Sequence, residues 1–257
     1  MSDAPHPELD IQEVDMLRPL EWLALAWRDM EHSPTAGVTH GLILAVIGGA
    51  LFWFARHDFW WIAAMLSVCM IVAPLLAVGL YDISRRLERQ QEAHVADAFR
   101  IWLCGDKRLI QFGLLLALSS SGWLICSAGL VHWILPASVH TPTDFLRLVV
   151  LQPQLGLFEM WVLMSALIAA PMFASTVITI PLLMDHPTLT LWQAVHTSWR
   201  VVARNPFAMS AWAGILCLFT ALGIGSAFLG LLAVVPMLGH ASWHAYRDLV
   251  VYDASKH

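Results

Sequence analysis

Apolar residues run through this chain in long stretches broken by short clusters of charge. A helix needs about 20 apolar residues to cross a bilayer core of about 30 Å, because inside lipid every backbone N–H must find its partner within the helix. Stretches free of Asp, Glu, Lys and Arg reach that length at residues 36–55, 59–81, 109–135 and 160–183. Residues 205–246 also contain none of these four and are twice as long as one span, which predicts a hairpin turning near Gly223-Ile224-Gly225-Ser226. The pattern predicts an all-α polytopic membrane protein with six transmembrane helices.

A second pattern, of period 3.6, precedes the spans. Leu17, Leu20, Leu23 and Trp27, with Arg18, Glu21 and Arg28 elsewhere on the wheel, predict an interfacial amphipathic helix. Leu189, Trp192, Val195, Trp199 and Val202, opposite Gln193, Thr197, Arg200 and Arg204, predict another. Trp27-Arg28 precedes Pro34 by the same spacing as Trp199-Arg200 precedes Pro206, and a weaker copy, Val95, Phe99 and Trp102 with Arg100, precedes span three. Each even-numbered span carries a proline followed by two Leu or Met residues, at Pro74, Pro181 and Pro236. Three tandem units follow, each a surface helix and a hairpin whose second helix is kinked by proline, which removes one helical hydrogen bond.

Composition agrees with this picture. Of 257 residues, 58% are hydrophobic and 13% charged, where a soluble domain carries roughly 25% charged residues. The four cysteines form no CxxC and read as packing residues. Residues 1–16 hold five acids and no Lys or Arg. They read as a disordered acidic cytoplasmic tail before a membrane domain at 17–250 and a short tail at 251–257. Of 14 basic residues 12 fall on the side of the termini, and only Arg56 and Arg147 on the other. Basic residues resist translocation, so both termini are expected in the cytoplasm. Nothing suggests a nucleic-acid surface; the expected partners are the lipid bilayer and a membrane protein complex.

Several phrases resemble a bacterial integral membrane family, domain of unknown function 2189. They are Arg18-Pro19-Leu20 with Trp22, Trp27-Arg28-Asp29, Pro74-Leu75-Leu76 with Gly79, and Ser84-Arg85-Arg86-Leu87-Glu88. Further on come Pro181-Leu182-Leu183 with Asp185, Thr197-Ser198, Asn205-Pro206, Gly239-His240-Ala241 and Trp243-His244-Ala245-Tyr246-Arg247-Asp248. The resemblance spans roughly residues 17–250 and implies six spans in a bacterial inner membrane but no settled activity, although some members are labelled as cytochrome c oxidase-related. His186 departs from the basic residue that more often follows the aspartate.

Ionisable residues inside spans each ask for a reason. His40 lies near the start of span one, and His240 and His244, spaced i, i+4 on one helix face, near the end of span six. At similar depth they are candidates for a three-histidine metal site, or His40 and His240 for axial haem ligands; the plainer reading makes them carbonyl-bonded or part of an interfacial belt. On the other side His132 and Glu159 are a candidate proton or cation pair, against Glu159 serving its helix N-terminus. No nucleophile–base pair or phosphate loop emerges, and the extramembrane segments are short. Three classes remain: an accessory or assembly subunit of a larger, respiratory or other, membrane complex; a small-solute or ion transporter; and a haem- or metal-binding membrane protein.

Overall fold

The computed structural model describes residues 9–103, 105–135, 137–152 and 156–252. Two surface-helix corners are built alike. Helix α1 (Arg18–His32) leads into α2 (Pro34–Ala55) through Ser33, and α9 (Leu191–Arg204) leads into α10 (Pro206–Gly225) through Asn205. Ser33 (φ −133°, ψ 52°) and Asn205 (φ −124°, ψ 52°) share one backbone conformation. In each, proline opens the second helix, where its missing N–H costs nothing.

The remaining helices are α3 (Phe59–Glu88), α4 (Val95–Leu103), α5 (Lys107–Ile134), α6 (Pro142–Phe145), which runs on into a π-helical turn at Leu146–Val150, α7 (Leu157–Thr176), α8 (Thr179–Asp185) and α11 (Leu231–Leu249). Asp58 caps α3 by accepting from the Trp60 and Trp61 amides, and a Thr190/Gln193 capping box opens α9. The three expected units are α1–α2–α3, α4–α5–α7/α8 and α9–α10–α11. Each surface helix packs on the second hairpin helix of the preceding unit: α4 on α3, α9 on α7 and α8, and α1 on α11, which closes the cycle. The second helices α3, α8 and α11 meet one another at the centre.

The prolines act differently in the three units. Helix α3 runs on through Pro74. Pro181 leaves the Val177 carbonyl without its helical donor, and the helix breaks at Val177–Ile178, between α7 and α8. Pro171, inside α7, is an additional interior proline. Pro236 is buried in α11 against Gly37 of α2.

Among the described residues, five segments are long and apolar enough to span a membrane: α2, α3, α5, Leu157–Asp185 and α10. The sixth expected span, α11, has 19 residues but carries His240, His244, Arg247 and Asp248 in its second half, so it falls short in apolarity. Its polar half is enclosed by α1, α3 and α8, so it needs no lipid-compatible surface.

Strand β1 (Leu9–Ile11) pairs antiparallel with β2 (Val250–Tyr252). Two paired strands lie on one side of a membrane, so the chain between them crosses an even number of times. Five apolar spans plus α11 satisfy that condition. This pairing corrects the expectation of a disordered tail at 1–16, because residues 9–11 are ordered: Leu9 and Ile11 are buried and Asp10 faces outward. An apolar–polar–apolar alternation, hidden by the acidic composition, is what a half-buried strand requires. Residues 1–8 and 253–257 lie outside the described residues.

Candidate functional site

The terminal ends of α1, α3 and α11 converge on a buried polar cluster. Trp22, Ala26 and Asp29 lie on one side of α1, spaced i, i+4, i+7, and this side faces α11. Helix α3 approaches closely at Gly239 of α11, where a Cβ would stand 2.5 Å from Leu80 Cδ1. That approach brings Ser84 of α3 to His240 of α11. The Ser84 hydroxyl is 2.6 Å from Asp29 Oδ2 and 2.7 Å from His240 Nδ1, and His244 Nε2 is 2.9 Å from Asp29 Oδ2.

Hydrogen-bond arithmetic assigns the protons. An ionised carboxylate only accepts, so Ser84 gives its single proton to Asp29, and His240 Nδ1–H must then donate to the Ser84 oxygen. His244 Nε2–H donates to the same carboxylate oxygen. His240 is therefore the Nδ1–H tautomer, with a lone pair on Nε2. That atom is buried and has no hydrogen-bond partner among the described residues.

Burial pushes the Asp29 carboxyl up, but hydrogen bonds from His244 and Ser84 outweigh it and hold the group below its ordinary value of 3.8. A depressed carboxyl contributes stability that is complete above its unfolded pKa and lost as the pH falls through the folded one. Asp29→Asn is expected to cost about 1–3 kcal/mol at neutral pH. The variant should also lose less stability than wild type when thermal unfolding, followed by tryptophan fluorescence, is repeated below pH 4. Parallel acid limbs in the two proteins would contradict the role given to Asp29.

A collar of ion pairs surrounds the cluster. Asp82, 1% exposed, accepts from Arg85 and from Arg86 Nε at 2.8 Å. Asp248 accepts from Arg18 Nε and Nη2 at 2.6 and 3.0 Å and from Trp22 Nε1 at 2.9 Å. Glu88 accepts from Arg247 and Trp243. Asp185 accepts from Tyr246 and pairs with Arg89 and Arg247, so its cations come from other helices and not from position 186. Beside the collar lies a cavity of about 170 Å³ lined by Arg18, Trp22, Leu25, His244, Arg247 and Asp248, among others.

Of the expected site residues, His240 and His244 are brought together with Asp29, which the sequence reading did not single out. His40 is fully buried in α2 and bonds the Ala36 carbonyl of its own helix through Nδ1 at 2.8 Å. Its Nε2 lies against α3, 2.7 Å from where a Cβ on Gly79 would stand. Among the described residues no group of three His, Cys, Asp or Glu is arranged to hold a metal ion. Haem ligated by His40 and His240 does not fit, because α2 and α11 touch on both sides of His40. A Cβ on Gly37 would stand 2.9 Å from Pro236 Cβ, and one on Gly41 2.6 Å from Leu232 Cα. No slot for a macrocycle lies between helices in backbone contact. His132 and Glu159 are both exposed, and no hydrogen bond or ion pair joins them among the described residues. Glu159 sits in the first turn of α7, where the helix dipole favours a carboxylate. The missed residues had a signal: Asp29 is an acid on the core-facing side of an amphipathic helix, seven residues from Trp22.

With the geometry in hand, the family comparison gives a definite segment. Residues 62–185 match the family model described as "Predicted integral membrane protein (DUF2189)". The match runs from the first turn of α3 to the end of α8 and includes Pro74-Leu75-Leu76, Gly79, Ser84 to Glu88, Pro181-Leu182-Leu183 and Asp185. The expected resemblance holds there, over a shorter stretch than residues 17–250. Neither the curated proteins nor the solved structures contain a match. The chain is a multi-pass integral membrane protein, and this DUF2189 segment contains the α3 side of the polar cluster.

Proposed function

We propose that the protein is an accessory or assembly subunit of a larger complex in a bacterial inner membrane, with its terminal face in the cytoplasm. The observation that carries this reading is that the charged groups of α1, α3, α8 and α11 bond one another across helices, through Asp29, Glu88, Asp185 and Asp248. A closed set of this kind locks helices in place and favours a scaffold over a passage. The positive charge bias toward the termini supports the cytoplasmic assignment. Solubilisation of native membranes in mild detergent, followed by identification of co-purifying subunits, tests it. A stoichiometric membrane partner is expected; recovery of the protein alone and intact would count against the reading.

A second reading, proton-coupled transport, is favoured by the bare Nε2 of His240. A proton arriving there would release Nδ1–H to Ser84, whose own proton would pass to Asp29, 15% exposed. Proteoliposomes containing a trapped pH dye test this. Proton flux that Ser84→Ala abolishes would place transport ahead of the scaffold reading, and flux equal to protein-free vesicles would remove it.

A further inference from the structure

The arginines of the terminal face fall into two groups. Arg18, Arg85, Arg86, Arg89, Arg108, Arg204 and Arg247 all form ion pairs within the protein. The side chains of Arg28, Arg100 and Arg200 are exposed and form no ion pair or hydrogen bond among the described residues. One of these stands on each surface helix, α1, α4 and α9. Each follows an aromatic residue in sequence, and Arg28 and Arg200 stand six residues before the proline that opens the next span.

The environment of two of these arginines is repeated as well. Trp27 and Trp199 are 53% and 45% exposed. Leu20 on α1, with Leu17 just before it, and Trp192 on α9 extend each exposed apolar strip, and at 100° per residue the arginine lies at the strip's edge. A surface helix that turns through a one-residue corner into a membrane span lies at headgroup depth, with its exposed apolar strip toward the acyl chains. An unpaired guanidinium at that depth faces phosphate and anionic headgroups. Paired arginines on the same face already have carboxylates, so among the arginines charge complementarity singles out these three.

We propose that α1, α4 and α9 form a ring of three docking places for anionic phospholipid headgroups in the leaflet on the terminal side, centred on Arg28, Arg100 and Arg200. The arginine pairs with the headgroup charge, and on α1 and α9 the neighbouring indole lies at the boundary between glycerol and acyl chain. This inference does not depend on the function proposed above.

Native mass spectrometry of the full chain released from nanodiscs tests it, with phosphatidylglycerol and phosphatidylcholine mixed in equal amounts. Wild type is expected to retain up to three phosphatidylglycerol molecules in preference to phosphatidylcholine, with affinity falling about fivefold for each arginine replaced by alanine. Arg28→Ala, Arg100→Ala and Arg200→Ala should each remove one lipid, and the triple variant should show no headgroup preference. Arg56→Ala, on the opposite face beside Trp53, should leave the count unchanged. These side chains are exposed, so the variants are expected to fold, as a circular dichroism melt would verify. No headgroup preference in wild type, full preference in the triple variant, or binding carried by one arginine alone would each overturn the proposal.

Discussion

Arg108→Ala is expected to destabilise the protein by about 1–3 kcal/mol, the range for leaving partly buried hydrogen-bonding groups without their charged donor. Arg108, at the start of α5, reaches across to the end of α8. Its Nη2 donates to the Leu183 carbonyl at 3.0 Å, and its Nη1 to the carbonyls of His186, Pro187 and Leu189 at 3.1, 3.1 and 2.7 Å. The last carbonyls of any helix lack helical donors, and here one guanidinium serves Leu183 of α8 and three carbonyls of the turn into α9, while Arg85 serves Met184. Asp106, which also caps α5, holds that guanidinium at 2.6 Å. Without Arg108 the carbonyls need water at a half-buried corner. Lysine should rescue little, because a single ammonium cannot present a planar fork of five donors to acceptors on several sides. Thermal unfolding in detergent should therefore place Ala and Lys variants close together, well below wild type. A Lys variant at the wild-type midpoint would show that charge alone matters.

Gly41→Leu should have the larger structural effect. A Cβ there would meet Leu232 Cα at 2.6 Å and the Leu231 and Leu232 carbonyl oxygens at 2.7 and 2.8 Å, all backbone atoms that cannot swing aside. Gly37, one turn earlier, meets Pro236 in the same way, so Gly37 and Gly41 form a small-xxx-small seam on which α11 rests. Any side chain at 41 forces α2 and α11 apart and opens the cluster around His240. Overpacking costs typically about 1–3 kcal/mol where side chains can adjust, and more where backbone meets backbone. Gly49, on the same helix, meets nothing within 4 Å. Gly49→Leu should be tolerated. The comparison is read by yield of monodisperse protein and melting midpoint. Equal behaviour of the two variants would mean that the α2–α11 contact is not as close as 2.6 Å implies.

The spans were legible because a lipid-facing helix must be apolar over its whole length, and that requirement leaves a long trace in the sequence. Helix α11 was legible as a span for another reason: Asn205 to Tyr246 lacks Asp, Glu, Lys and Arg, although the helix is too polar to stand alone in lipid. The surface helices showed in their 3.6 period, and two of the corners in the shared spacing of Trp, Arg and Pro. The polar cluster was half legible. His240 and His244 share a face by their spacing, but Asp29 and Ser84 stand 55 residues apart in the chain, on different helices, and only the cyclic packing of units brings them together with the histidines. Strand β1 was missed because three residues are too short for alternation to outweigh an acidic composition.

The most direct test of this architecture is the sidedness of single cysteines introduced into a version of the chain lacking Cys69, Cys104, Cys126 and Cys217. Pairing of β1 with β2 requires cysteines at Asp10 and Val251 to be on the same side of the membrane. The turn between α10 and α11 must lie on the opposite side, so Ser226→Cys and Leu229→Cys should react with a membrane-impermeant thiol reagent only from there. Asp10→Cys and Val251→Cys should also form a disulfide across the strand pair on mild oxidation, since these two residues are register partners. Labelling of Ser226→Cys from the terminal side, or of positions 10 and 251 from opposite sides, would contradict six crossings.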